Sequence, residues 1–222
     1  MSKVFIGVPT HDARVGLGTA RCLFNIGKTD AMVRMQARSL LALNFNDLLC
    51  QALNNGADYF LLLHADIEVT TANWLDRMIA IMKREKVDVL SVASPIKNTD
   101  DFSCGMSDAN CFKRHRFSRD DLKRLPKTFK TIDVRKEWED DALVMIFNTG
   151  CLLINLRKAQ TATNYFQMVD KVERDESGNW TCDCVPEDWF FSVVCHKLAI
   201  PYACTREIEL LHAGLAFWSN KL

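Results

Sequence analysis

An apolar segment ends abruptly in polar residues near position 64. Residues 59–63 read Tyr-Phe-Leu-Leu-Leu, and His64, Asp66 and Glu68 follow at once. If the apolar run is a buried strand, these side chains lie at the carboxyl edge of a sheet, where open α/β sheets bind ligands. A carboxylate there can hold Mg²⁺ or Mn²⁺, which would neutralise a diphosphate leaving group. The alternative is a solvated loop after a strand.

A second acidic pair, Glu187-Asp188, opens a segment with helical spacing. Acidic residues are favoured in the first turn of a helix by the backbone dipole, which is a purely structural explanation. The functional interpretation is that one of them deprotonates an acceptor hydroxyl, with Asp188 as the base and Glu187 orienting the acceptor. Trp189 follows, and it is either a core residue or a stacking platform for the acceptor.

The elements that would position these residues alternate between strand and helix. Apolar runs and helical spacing predict, in chain order, a strand at 3–8, a helix at 36–55, a strand at 57–63, a helix capped by Thr70-Thr71 and a strand at 87–93. This order is typical of right-handed βαβ units with a mostly parallel sheet. The fold class predicted is therefore α/β.

The later part of the chain resumes the same kind of pattern. Strands are predicted at 143–147, 151–155, 201–204 and 207–211, helices at 157–169 and 187–198, and a loop at 174–184. No internal repeat or linker interrupts the chain. The simplest organisation is one domain over 1–222, with halves at 1–96 and 142–222 separated by an insertion at 97–141.

The predicted insertion is rich in charge. Residues 113–136 carry ten Lys or Arg and three Asp, a net charge of +7, whereas the whole chain has 28 residues of each sign. A solvated surface helix and loop is one interpretation, and the capping box Ser118-x-x-Asp121 predicts such a helix. The other is a polyanion-binding surface with basic residues on phosphates and aromatic rings on bases. Its residues would be Lys123, Arg124, Lys127, Phe112, Phe117 and Phe129.

Composition limits the function classes further. The balanced charge excludes a general attraction to nucleic acid or membrane, and no apolar run is long enough for a signal peptide or a bilayer span. Nine cysteines, several of them in apolar segments, predict buried thiols and a cytoplasmic location, the host cytoplasm if the chain is viral. Cys182, Cys184 and Cys195 with His196 are a weaker zinc candidate, because their spacing matches no common zinc motif.

Several motifs together resemble the GT-A glycosyltransferases that use nucleotide-sugars. Residues 64–66 are similar to the Asp-x-Asp motif, with His64 in place of the first Asp, and Val4–Thr10 is similar to the first strand and nucleotide-contacting turn. Asn46 lies in a segment similar to the helix before the metal strand, although Phe45 stands where many members have Arg. The similarity continues at three later segments: Asn148-Thr149-Gly150, Glu187-Asp188 and His212-Ala-Gly214.

The resemblance implies a metal-dependent glycosyltransferase with a GT-A (Rossmann-like) domain. The favoured donor is a UDP-sugar and the cofactor Mn²⁺ or Mg²⁺, with Mn²⁺ preferred if histidines are ligands. His64 alternatively packs or forms hydrogen bonds at the strand end. The implied nucleotide-sugar contacts are Pro9, Thr10, His11, Asn46, His64, Ala65 and Asp66; the metal ligands are Asp66, His212 and His64; the acceptor contacts are Asn148, Thr149, Gly150 and Trp189.

The acceptor is the least constrained part of the hypothesis. The basic segment favours 5-hydroxymethylpyrimidine in DNA, as for compact glycosyltransferases of bacterial viruses, with Lys123, Arg124 and Lys127 on the phosphates. A cell-surface glycan or a lipid-linked acceptor is the competing hypothesis. A nucleotidyltransferase would need a Gly-rich phosphate loop, of which Gly16-Leu-Gly18 is only a partial signal, and a non-catalytic binding module also stays open.

Overall fold

The computed structural model describes residues 2–214 and 217–221. Helices and strands alternate through the first part of the chain, as the sequence predicts. The helices are α1 (Leu17–Cys22), α2 (Leu41–Asn54), α3 (Trp74–Glu85), α4 (Arg119–Arg124), α5 (Thr131–Trp138), α6 (Ala159–Ala162) and α7 (Glu187–Lys197). The strands are β1 (Lys3–Thr10), β2 (Asp30–Ala37), β3 (Tyr59–Leu63), β4 (Ile67–Val69), β5 (Val89–Val92), β6 (Asp101–Ser107), β7 (Arg114–Ser118), β8 (Thr128–Phe129), β9 (Val144–Ile146), β10 (Cys151–Asn155), β11 (Val169–Arg174), β12 (Trp180–Val185), β13 (Tyr202–Thr205), β14 (Leu210–Ala213) and β15 (Phe217–Ser219).

A seven-stranded sheet forms the centre of the molecule, in the order β2-β1-β3-β10-β5-β13-β8. Strands β2, β1, β3, β5 and β13 run in one direction, and β10 and β8 run against them. The prediction of an α/β fold with a mostly parallel sheet is confirmed. Strands β3 and β5 are fully buried, which explains why they read as continuous apolar runs rather than alternating ones.

Helix α2 shows why the helical predictions succeed on the first half of the chain. Its buried residues, Asn44, Phe45, Leu48, Leu49 and Ala52, recur at helical spacing and face the sheet. The chain leaves the helix through Gly56, whose φ of +60° suits glycine. Helix α3 differs from its prediction at the start, because Asn73 and not Thr70-Thr71 is its N-cap; Thr70 and Thr71 instead bond the backbone of Glu209.

Two predicted elements are wrong, and the sequence misses strands β2, β4, β6, β7, β8 and β15 and helix α5. The helix expected at 157–169 is reduced to Ala159–Ala162, and the loop expected at 174–184 is largely the hairpin of β11 and β12. Strand β2 was not predicted, because it lies at the edge of the central sheet and its mostly part-exposed residues lack an apolar pattern. Edge strands and exposed hairpins bury too little surface to leave a periodic signal in the sequence.

Residues 97–141 are built into the core. Strand β8 completes one edge of the central sheet, and β6 pairs with β7 and β9 in a separate sheet. Phe117 and Phe129 are fully buried, and their ring centroids lie 6.0 Å apart in an edge-to-face contact. The expectation that these two rings stack on exposed bases is therefore wrong, because no face of either ring reaches solvent.

We expect Phe117→Ala to destabilise the protein strongly, by about 3–5 kcal/mol, because it leaves a cavity between Phe129 and Trp138. Chemical denaturation followed by fluorescence would measure the change. The control is Phe24→Ala, whose side chain is 94% exposed; its effect should stay within about 0.5 kcal/mol. Equal, small effects for both variants would contradict the placement of this segment in the core.

A small sheet brings a distant segment to the carboxyl end of β3. Strand β4 pairs with β14, and the register sets His212 opposite Ile67. The backbone N–H of Ala213 donates to the carbonyl of Asp66 at 2.8 Å. His212 is thereby fixed beside Asp66 although 146 residues separate them.

Candidate functional site at the carboxyl edge of the sheet

Asp66 lies in the short turn between β3 and β4, at the carboxyl edge that the sequence predicts. Its Oδ2 atom is 3.3 Å from Nε2 of His212 and 2.5 Å from Nζ of Lys97. Burial alone would raise the pKa of Asp66, but the hydrogen bonds from His212 and Lys97 outweigh it and hold the pKa well below its usual range. Asp66 is therefore a carboxylate at neutral pH.

The imidazole of His212 is oriented by the backbone. Its Nδ1 atom is 2.8 Å from the carbonyl oxygen of Pro95, and since a carbonyl only accepts, Nδ1 carries a proton. Nε2 then faces the carboxylate of Asp66 at 3.3 Å, a contact made favourable by a proton on Nε2 that is donated to Asp66, or by a cation bound between the two atoms. A histidine whose other nitrogen donates to a carbonyl is the usual arrangement of a metal ligand.

His64 has other partners. Its backbone N–H donates to the carbonyl of Gly150, and its Nε2 lies 3.2 Å from Oγ1 of Thr149. Burial lowers the pKa of His64 to about 4, so the ring is neutral at pH 7. Phe45 packs against it with ring centroids 5.5 Å apart, in the place where the resembling family has Arg. His64 thus fits the alternative interpretation, in which it packs and forms hydrogen bonds at the strand end. The hydrogen-bond partners of the Asp66 carboxylate are His212 and Lys97 instead.

Two of the three predicted metal ligands lie close together in the structure. Asp66 and His212 converge, and the ammonium of Lys97 occupies the same oxygen as a stand-in cation. Within residues 2–214 and 217–221, no three His, Cys, Asp or Glu side chains form a group that could hold a metal. Asp66 and His212 would supply only two ligands, which would suit a divalent cation only if substrate phosphates and water completed its coordination.

A cleft of about 440 Å³ opens beside Asp66, and we call it the first cleft. It has the size of a small-molecule site. Most of the residues predicted to contact a nucleotide-sugar line it: Pro9, Thr10, His11, His64, Ala65 and Asp66, together with Asp12, Arg14, Val15, Gly16 and Leu41. Six of the seven residues named from sequence thus lie along one cleft, because they follow the ends of two neighbouring parallel strands.

The glycines at 16 and 18 have a packing role at this cleft. A Cβ on Gly16 would lie 3.1 Å from the carbonyl oxygen of Ala65, and one on Gly18 would lie 2.3 Å from Glu68. The backbone N–H of Gly16 also donates to that carbonyl at 2.7 Å. Close approach of Gly16 to the turn after β3 and of Gly18 to β4 explains both glycines, so they are not evidence for a phosphate loop.

Asn46 is not among the residues lining the first cleft. Its side-chain amide donates to the carbonyl of Phe166 at 2.8 Å and accepts from the N–H of Phe166 at 2.9 Å. Both polar atoms are used within the protein, so Asn46 ties α2 to the segment after α6.

We expect Asn46→Ala to lower the free energy of unfolding by about 1–3 kcal/mol, because both backbone groups of Phe166 lose their partner. Donor affinity should change by less than about twofold, since the side chain is engaged elsewhere. Denaturation and ligand titration of the same variant separate the two effects. Asn54→Ala, on an exposed position of α2, is the control and should change neither.

Asn148, Thr149 and Gly150 form a buried turn before β10. The side chain of Asn148 donates to the carbonyl of Val92 and accepts from the N–H of Gly150. Asn148 and Thr149 are only 3% and 2% exposed, so they offer almost no surface to an acceptor. The structure gives these predicted acceptor residues a positioning role, which is to hold His64 and the end of β5.

Glu187 and Asp188 open α7, as predicted, next to a second cleft of about 780 Å³. Burial, and after it the neighbouring Glu187, raise the pKa of Asp188 to about 8, while Arg116 acts in the opposite direction. Burial also raises the pKa of Glu187. Asp188 therefore exchanges its proton near neutral pH, which is what a general base requires. The second cleft is lined by Asp101, Arg114, His115, Arg116, Ser118, Asp121, Cys184, Pro186 and Trp189.

Trp189 is mainly a core residue. It is 5% exposed and packs in a cluster with Val144, Ile146 and Val193. Its indole N–H donates to the carbonyl of Ser103 at 3.2 Å. Arg114 and Arg116, on the same face of β7, lie 5.4 and 5.1 Å from its ring centroid. These guanidinium contacts favour the core interpretation over a free stacking platform.

Four of the ten basic residues in the segment 113–136 are paired with carboxylates. Lys123 contacts Asp120, and Arg124 contacts Glu137 at 2.6 Å and lies over the ring of Trp138. Arg114 pairs with Asp183, and Lys130 with Glu85. Together with the burial of Phe117 and Phe129, these pairs remove the main features that suggested a nucleic acid surface. Phe112 is half-buried under Lys171, and Lys127 stays exposed.

The cysteines are free thiols distributed over several clusters. Cys182 is exposed on a hairpin, whereas Cys195 is fully buried in α7 and contacts Asn164. Such different surroundings do not form one zinc site. The structure also contains, within its described residues, no helix long and apolar enough to cross a bilayer.

Comparisons with known proteins support the fold and leave the chemistry open. No protein-family model and no curated protein matches the chain significantly. The solved structure of A197 from STIV matches over 96% of this chain and 86% of that one, with a TM-score of 0.56 and 11% identity. At that identity the likeness shows a shared fold only.

UDP-glucose pyrophosphorylase from Leishmania major, solved in complex with UDP-glucose, is a more distant neighbour. Two of its variant structures give TM-scores of 0.32 and 0.34 at 13% and 11% identity, over 72% and 86% of this chain. The matches span 35% and 59% of the pyrophosphorylase chains. Scores in this range do not establish a common fold.

Proposed function

We propose that this protein transfers a sugar from a nucleotide-sugar, with a UDP-sugar as the favoured donor, to the hydroxyl of an acceptor. The observation that carries the proposal is the convergence of Asp66 and His212 on one point at the rim of the first cleft. The cleft has room for a nucleotide, and its rim presents a carboxylate and an imidazole nitrogen to a cation.

In this proposal Asp66 and His212 hold Mn²⁺ or Mg²⁺ together with the donor's phosphates. Such an ion, when bound, neutralises the charge that develops on the leaving diphosphate. Pro9, Thr10 and Ala65 form the wall of the first cleft against the nucleotide. The neutral ring of His64 lies between that wall and Thr149 and fixes the turn before Asp66.

The second cleft is the proposed acceptor site. Asp188 opens the helix at its margin and, once ionised, takes the proton from the acceptor hydroxyl as the new glycosidic bond forms. Burial, and after it the neighbouring acid Glu187, keep the proton affinity of Asp188 high enough for this step. A base in this position implies an inverting reaction, because the hydroxyl attacks the sugar directly.

A donor screen tests the proposal first. Thermal unfolding with Mn²⁺ and a panel of nucleotide-sugars should reveal one donor that raises Tm, since a ligand bound only by the folded state stabilises it. Release of nucleoside diphosphate from that donor should then depend on divalent metal. A donor that raises Tm but releases no nucleoside diphosphate would instead indicate a binding module, and a panel in which no donor raises Tm would overturn the proposal.

A further inference from the structure

Lys97 is the member of the site that sequence patterns do not reveal. Its Nζ atom is 2.5 Å from Oδ2 of Asp66, the same oxygen that faces Nε2 of His212. Lys97 therefore occupies the position at which a metal would contact Asp66. A lysine in a loop two residues after Pro95 carries no motif, and most lysines are simply solvated.

The surroundings hold the lysine stem in place. A Cβ added at Gly214 would lie 3.2 Å from Cδ of Lys97, so the bare glycine backbone leaves room for the stem. The carbonyl of Pro95, in the same loop, accepts the Nδ1–H of His212. The loop after β5 and the segment at 212–214 thus position the ammonium and the imidazole on one carboxylate.

The Lys97–Asp66 pair is also weak enough to open. The two side chains are 33% and 42% exposed, and ion pairs in such surroundings contribute little stability. Among the ion pairs of the described residues, Lys97 has no second carboxylate partner. An ammonium that loses Asp66 to another cation would be left beside the first cleft with no counter-ion from the protein, and a bound phosphate would supply one.

We propose that Lys97 is a donor-binding residue that pairs with Asp66 in the free protein and turns to the donor's diphosphate when a divalent cation takes Asp66 and His212. This inference rests on the proposed function. The ammonium of Lys97 then has two successive anionic partners, first the carboxylate of Asp66 and then the diphosphate. Lys97 therefore opposes metal binding when no donor is present and supports diphosphate binding when the donor is present.

Two titrations of Lys97→Met test the proposal. The affinity for Mn²⁺ should rise and the affinity for a nucleoside diphosphate should fall. Without nucleotide, Mn²⁺ should bind this variant about five- to tenfold more tightly than wild type, because a competing ion pair and a repelling charge are gone. With saturating Mn²⁺, the nucleoside diphosphate that wild type binds best among UDP, GDP, CDP, ADP and dTDP should bind about tenfold more weakly. Calorimetry measures both affinities without turnover.

The controls separate this role from a general effect of charge or folding. Lys97→Arg should restore much of the diphosphate affinity, and Lys83→Met, at an exposed position of α3, should change neither titration. Unchanged or weaker Mn²⁺ binding by Lys97→Met, or unchanged diphosphate binding, overturns the proposal for Lys97. If wild type binds Mn²⁺ but none of the diphosphates, the proposed function fails instead, and the Mn²⁺ titration still decides whether Lys97 competes for Asp66.

Discussion

Asp66→Asn should reduce sugar transfer by about 10³-fold or more, because it removes the charged ligand at the leaving diphosphate. The substitution keeps the shape of the side chain, so the turn between β3 and β4 should survive. It removes the attraction of Lys97 and of a divalent cation to the same oxygen. Steady-state kinetics with the donor identified by the thermal screen would measure the loss.

Two comparisons make the Asp66 result specific. Asp141→Asn, on an exposed loop position, should retain wild-type rates. Circular dichroism and Tm should show that Asp66→Asn is folded, since Asp66 lies on the partly exposed rim of a cleft. A folded Asp66→Asn protein with more than about a tenth of wild-type activity would contradict the assignment, because loss of a charge-neutralising ligand costs several kcal/mol.

Asp188→Asn should abolish the proton transfer to the protein and slow sugar transfer by about 10²–10⁴-fold. In wild type, the base is active only when ionised. Because the pKa of Asp188 is raised to about 8, the rate should rise with pH below that value and level off above it. The variant should lose this rise, while its affinity for the donor stays near that of wild type, because Asp188 is not among the residues that line the first cleft.

Although Asp188→Asn should lower activity, it should raise the free energy of unfolding at alkaline pH. An aspartate in an unfolded chain has a pKa of about 3.9, and in the folded protein the pKa of Asp188 is about 8. The folded state therefore binds the proton more tightly, and the resulting stability is present below about pH 4 and is lost as pH rises towards 8. The amide introduced by Asp188→Asn has no such proton to lose, so the variant should be more stable than wild type by about 1–3 kcal/mol near pH 9 and similar near pH 4.

Measurements at both pH values give the Asp188 hypothesis two independent tests. Glu187→Gln is the comparison: it removes the neighbouring acid that raises the pKa of Asp188, so the pH profile should shift to lower pH while transfer persists. A variant Asp188→Asn that transfers sugar at wild-type rates would exclude Asp188 as the base. A stability difference that does not grow with pH would show that the carboxyl is not perturbed in the folded protein.

Strands β1, β3 and β5 and helices α2 and α3 could be predicted from the sequence because each is largely buried or has one buried face. Strands β1, β3 and β5 are continuous apolar runs, and α2 and α3 bury residues at helical spacing. Their order predicts a parallel sheet, and the carboxyl ends of β1 and β3 must then lie side by side. That inference alone brings Pro9 and Thr10 next to Asp66 in the first cleft.

The rest of the site depends on contacts that a linear pattern does not contain. Asn148 and Thr149 look like exposed polar residues in sequence, yet the antiparallel insertion of β10 between β3 and β5 buries them. The charge of residues 113–136 looks free, yet three of its basic residues pair with Asp183, Glu85 and the adjoining Glu137. Lys97 reaches Asp66 because β5 and β3 are near neighbours in the sheet and the loop after β5 turns towards it.

The pairing of β14 with β4 has a consequence for the growing polypeptide. A ribosome-bound chain that has completed β3 already contains Asp66, but the imidazole that faces it is added 146 residues later. Strand β13, which lies between β5 and β8, also comes from that late segment. Because domains generally fold as units during synthesis, the central sheet and the contact between Asp66 and His212 should be completed only after both strands have left the ribosome.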